Sequence, residues 1–135
     1  MTLRYHVVVE GTPRSGKNSQ DIMVNPRTGR RFTKKSKAAS AWLSDAIAAI
    51  AHAYPSRRPI DGPCHIHVAV WHKLPAHCWD GDNVQNLAWD AAKKAKLVTD
   101  DNASVIVSWS GEAHVDKARP RVEITITAKP AAKAA

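Results

Sequence analysis

Apolar residues recur along this chain in two rhythms. Arg4 to Glu10 is β-branched and continuous through Val7–Val9, which predicts a strand. Cys64 to Trp71 alternates: Ile66, Val68 and Val70 take one side, and His65, His67 and Trp71 the other. Between them, Ser36 is a fitting N-cap for a helix running to about Ala53. Leu43, Ile47, Ile50 and Tyr54 recur in it at helical spacing, and alanine fills the gaps. A second helix is expected from near Asp82 to about Lys96, with Val84, Leu87, Ala88, Ala91 and Ala95 as its core stripe. Ser104–Trp109 and Arg121–Thr127 read as two more strands, joined by a polar loop into a hairpin. Gly11 to Thr33 is rich in turn residues and predicts a long basic loop or open hairpin, and Pro55 to Pro63 a turn segment.

The order β-α-β-α-β-β predicts one two-layer α/β domain of the α+β type, with a mixed sheet of about four strands and both helices on one face. The domain should span residues 1–128, with a basic loop over 11–35. The small, basic stretch 129–135 should fray. A chain of 135 residues suits a single domain. No apolar run nears the roughly 20 residues of a membrane span, so no membrane partner is expected. Arg4 and His6 interrupt any signal-like start, and two cysteines are too few for a disulfide framework. A cytoplasmic protein is the expectation.

Charge adds a functional direction. The net charge is +8, and residues 1–60 hold 11 of the 20 Lys/Arg but only Glu10, Asp21 and Asp45 of the 12 acids. The basic residues are densest from Arg27 to Lys37, with no acid among them. Such a block is either a solubilising surface or a seat for a polyanion, and nucleic acid is the leading polyanion.

Three constellations could carry chemistry. Gly11-Thr-Pro-Arg-Ser-Gly16-Lys17 follows a strand and has phosphate-loop spacing. Asn18 stands where Ser or Thr should hold magnesium, and turn signals follow where a helix should start, so no nucleotide cofactor is expected. Phosphate contact by Arg14 and Lys17 on a loop is the better reading. Cys64, His65, His67, His72, His77 and Cys78 are close in sequence, yet lie along a strand and its exit rather than at the paired spacing of zinc ligands. The third set is acidic: Asp80-Gly-Asp82-Asn83 at a helix start and Asp100-Asp101 after its end. One aspartate is explained by helix capping, and the later pair by turn chemistry. Clustered carboxylates in a basic protein also suit a divalent cation. The helix between spans about 20 Å, so the two groups meet only if the fold returns the second beside the first.

These motifs, with Gly11-Thr-Pro-Arg, Gly29-Arg30-Arg31-Phe32-Thr33, a helix carrying Trp42, Asp90-Ala91-Ala92 and Leu97-Val98, resemble the RusA family of Holliday junction resolvases over roughly residues 5–127. The resemblance implies a homodimeric endodeoxyribonuclease that resolves four-way DNA junctions, of bacterial, phage or prophage origin. It implies Asp80, Asp82 and Asp101 as ligands of Mg²⁺ or Mn²⁺, with Asn83 and Asp100 in support. The family carries a lysine where this chain has Asn86, so a weakly active or inactive junction-binding protein is the alternative. Lys93 shares the helix face but stands seven residues on, roughly 10 Å away, so Lys17, Lys34 and Lys73 are the better candidates to replace that charge. Arg27, Arg30, Arg31 and Lys35 extend the expected DNA contact, Trp79 could stack on a base, and Trp89 is expected at the dimer contact.

Overall fold

The computed structural model describes residues 3–11, 20–35, 37–73 and 81–129. The elements run β1 (Arg4–Glu10), β2 (Gln20–Val24), β3 (Arg31–Lys35), α1 (Lys37–Ala53), β4 (Cys64–His72), α2 (Gly81–Lys94), β5 (Ile106–Val115) and β6 (Arg121–Ala128). The main sheet has the order β1-β6-β4-β5. It is mixed: β4 pairs parallel to β5, and the other pairs are antiparallel. The expected α+β architecture is therefore present. Within the turn-rich segment, β2 and β3 form the open hairpin as a separate two-stranded sheet.

The alternation read along 64–71 decides which face is inside. Cys64, Ile66, Val68 and Val70 join Tyr5, Val7, Val9, Val122, Ile124 and Ile126 on the face covered by both helices. Trp42, Leu43, Ala46 and Ile50 of α1 meet Val84, Leu87, Ala88, Ala91 and Ala92 of α2, with Ala95 just past its end, above that face. Alanine at three contact positions of α2 brings its backbone close to the sheet, so a larger side chain would have no space. Among the described residues, no helix is long and apolar enough to cross a membrane.

The expected hairpin of the last two strands does not form, because β4 lies between β5 and β6. A strand–helix–strand order favours parallel neighbours, and β4–α2–β5 obeys it. The chain then passes over the end of β4 to reach β6. Asp116 anchors that passage: its N–H donates to the His72 carbonyl at 2.7 Å, and its Oδ1 accepts from the N–H groups of Ala118 and Arg119. β5 also continues to Val115, beyond the expected end at Trp109. Its second half is an exposed edge without apolar alternation, and its register with β4 holds it as a strand.

A tight contact of this kind is testable. Ala91→Leu should cost about 1–3 kcal/mol through overpacking, read as a lower urea midpoint with an unchanged slope. An unchanged midpoint would show that α2 does not pack as closely as described.

Candidate metal and DNA site

The acidic pair is positioned by the way α2 stops. Lys96 takes a left-handed conformation (φ 64°), which for a residue with a Cβ is held only by surrounding contacts. Its N–H donates to the Lys93 carbonyl, and the Leu97 N–H donates to Ala92. The reversal sends Leu97 and Val98 into the core, and Thr99 N–H onto the Ile60 carbonyl at 3.1 Å. Asp100 and Asp101 then emerge at the surface.

The two acids differ in their partners. Asp100 accepts from the Asp101 N–H at 2.8 Å and from the Asn102 amide at 3.1 Å. Lys93 Nζ lies 3.3 Å from Asp100 Oδ1 and 3.8 Å from Asp101 Oδ1. The backbone N–H of Asp101, followed by Lys93, holds the Asp100 carboxyl below its usual range. The hydrogen bond to Asp100 pushes the Lys93 ammonium up. Two neighbouring carboxylates thus share one cation from the last turn of the helix.

Asp82 is the second residue of α2, and its side chain is outside the described residues, as are Asp80 and Trp79 entirely. Lys93 stands eleven residues beyond Asp82, about 16 Å along the helix axis. β5 does run back along α2, but Asp100 and Asp101 precede it. Asp82 and Asp101 therefore stand at opposite ends of α2 in one chain. Among the described residues, no group of three or more His, Cys, Asp or Glu is placed to hold a metal ion.

Spacing puts positions 82, 86, 89 and 93 on one face of α2, opposite the alanine stripe. Asn86 is exposed on it. The Asn83 side chain is not described. Trp89 is half-buried, donates through Nε1 to Gln85 Oε1 at 3.0 Å, and meets Trp109 edge-on at 5.3 Å between centroids. Gln85 in turn donates to the Ser110 carbonyl at 2.7 Å. It fills the space beside Gly111, where a Cβ would stand 3.0 Å from Gln85 Nε2. Trp109 remains 59% exposed. Gln85 and Trp109 were not singled out from the sequence, and Lys93 was passed over there for its distance along the helix from Asn86. The signal available for Trp109 was a tryptophan at the end of a strand whose other residues are serine, valine and isoleucine.

The basic residues divide in the same way. Arg27, Arg30 and Arg31 lie exposed around the β2–β3 turn. Asn25 shapes that turn: its carbonyl accepts from Gly29 N–H at 2.8 Å, its Oδ1 accepts from Arg27 N–H, and Gly29 adopts φ 69°. Lys73 is exposed at the exit of β4. Arg14 and Lys17, and the side chains of Lys34 and Lys35, are outside the described residues.

The histidines form a polar layer on the sheet face away from the helices. His65 bonds Ser108 and Ser110 at 2.7 and 2.8 Å, and His67 bonds Ser110 and Glu112. His114 shares Glu112 and stacks on Trp71, over which Arg121 also lies. Cys64 and His72 are buried on the opposite face, and His77 and Cys78 are outside the described residues. Serine and glutamate thus occupy these ring nitrogens, as in a structural network.

The profile of the family described as endodeoxyribonuclease RusA matches residues 10–127, and the chain belongs to that family. It is a nuclease family whose members act on branched DNA junctions. No curated protein matches the sequence.

The buried His72 and the half-buried His65 set a pH dependence. Burial pushes the His72 ring below its usual value; burial, then Lys129 and His67, does the same for His65. The unfolded chain then takes up these protons first as pH falls through about 6.5. Stability should be full above that pH and decline below it, before the carboxylates titrate. His72→Phe should flatten part of the slope of melting temperature between pH 7 and 5. An identical slope would exclude His72 as its source.

Proposed function

We propose that the protein is a Mg²⁺- or Mn²⁺-dependent endodeoxyribonuclease that resolves four-way DNA junctions as a homodimer, in the cytoplasm of a bacterial or phage-infected cell. The observation that carries this reading is the half-exposed Asp100–Asp101 pair just past the end of α2, within a family of junction nucleases.

The donor set fits the ion. Asp80, Asp82 and Asp101 offer only carboxylate oxygen, which suits a hard cation that keeps several waters. When bound, the metal would supply a water of lowered pKa and neutralise charge on the phosphate. Asn83 would orient one of the aspartates, and Asp100 would hold the turn that presents Asp101. Arg27, Arg30 and Arg31 on the hairpin, with Arg14, Lys17, Lys34, Lys35 and Lys73, would draw in the phosphate backbone. Trp79 would stack on an opened base.

The length of α2 shapes the dimer. One chain keeps Asp82 about 16 Å from Lys93 and its acidic partners. A second copy whose α2 lies antiparallel across the 82/86/89/93 face would set its Asp101 beside Asp82 of the first. The midpoint of that face falls between Asn86 and Trp89, next to the exposed Trp109. Two equivalent sites would follow from the two-fold axis, as paired cuts across a junction require.

A second reading rests on Asn86, which is exposed and carries no charge where the family's lysine is expected. Under it the protein binds junctions and cuts them slowly. Asn86→Lys should then raise the nicking rate.

The central test uses a synthetic four-way junction. Wild type should nick it with Mg²⁺. Asp82→Asn and Asp101→Asn should each bind it and lose at least about 100-fold in rate. Mixing the two inactive variants should restore about a quarter of the wild-type nicking, because each mixed dimer regains one intact site. Recovery at background level would place all ligands in one chain. A wild type that binds and never cuts with any divalent ion would end the nuclease reading.

A further inference from the structure

We propose that Lys93 is an internal rival of the divalent ion, its ammonium occupying the carboxylates of Asp100 and Asp101 until a metal displaces it. The inference rests on the reading of Asp101 as a metal ligand. It goes beyond that reading by assigning a role to a residue outside the expected ligand set.

The geometry is specific to one lysine. Lys93 Nζ reaches both acids, at 3.3 Å from Asp100 Oδ1 and 3.8 Å from Asp101 Oδ1. Its neighbour Lys94 instead pairs with Asp90, at 3.5 Å, one turn back on α2. Lys93 is the only cation paired with Asp101 among the described residues. Asp100 would keep the Asp101 N–H and the Asn102 amide if Lys93 left. Asp101 would lose its cation, and two adjacent carboxylates would then repel without a counter-charge.

An ammonium and a metal ion cannot use the same carboxylate in the same way. The metal needs direct oxygen ligation at about 2.1 Å, and a cation already beside that oxygen opposes it by charge and by position. Lysine suits the exchange, because its charge sits on a flexible four-carbon stem and can swing away. Once displaced, it stays on the outward face of α2 that carries Asn86.

The test is Mn²⁺ binding to the full chain without DNA, followed by electron paramagnetic resonance. Lys93→Met should tighten Mn²⁺ binding by about three- to five-fold, as expected when an exposed ion pair no longer competes. Lys94→Met removes the same charge one residue on, and should change affinity by less than about two-fold. Asp101→Asn should weaken binding. Unchanged or weaker binding in Lys93→Met overturns the proposal, and so does equal tightening in Lys94→Met, which would mark a general charge effect. Unchanged binding in Asp101→Asn overturns it by removing the ligand on which it rests. Tightening specific to Lys93→Met, alongside a wild type that cuts no junction, would uphold this inference and end the nuclease reading alone.

Discussion

Parallel pairing of β4 with β5 obliges the chain to return along the whole sheet between them, and α2 makes that passage. The position of each acidic residue follows from it. Asp82 is at the start of the return and Asp100–Asp101 just past its end, so the length of α2 becomes the distance between the two halves of the candidate site. The same pairing leaves β5 as an edge. Trp109 of β5 and Trp89 of α2 meet there, with Trp109 facing solvent. One topological choice thus separates the candidate ligands and leaves Trp109 exposed beside the face of α2 that lies between them.

Packing keeps that arrangement stiff. The alanines of α2 lie flat on the sheet, and Gln85 ties the helix to the backbone of β5 beside Gly111. At the far end the left-handed Lys96 reverses the chain sharply enough for Leu97 and Val98 to complete the core. Asp100 then takes its own local bonds, and Asp101 stands beside Lys93. One helix-borne cation offsets part of the charge of this acidic pair.

The opposite sheet face shows how similar residue types can lead elsewhere. His65 and His67 were metal candidates by proximity in sequence, and the fold adds His114 to them. In the fold their nitrogens meet Ser108, Ser110 and Glu112 across the β4–β5 ladder. A strand spreads alternate residues along one face at about 7 Å intervals, which suits a ladder of pairwise bonds better than convergence on one ion. Carboxylates at the ends of a helix, by contrast, are left at the surface, where another molecule can complete their surroundings.

Much of the local structure was legible because it depends on short-range patterns. Alternation marked β4 and its inner face, helical spacing marked α1 and α2, and the turn residues of 11–33 allowed for the hairpin that β2 and β3 form. The aspartate motifs and their order identified the family. Strand neighbours were not legible in this way. Periodicity reports which face of a strand is buried and says nothing about which edge it pairs with, so two strands close in sequence were read as a hairpin. The paired roles of Lys93, Gln85 and Trp109 had the same source of obscurity, since each depends on a partner brought near by the sheet. The sequence by itself determined the elements, the core faces and the acidic chemistry, because these follow from residue type and spacing. Tertiary structure alone decided that β4 separates β5 from β6, and that Asp101 is not carried back beside Asp82 within one chain. Distances between elements arise from how backbones pair and pack, and no local pattern encodes them.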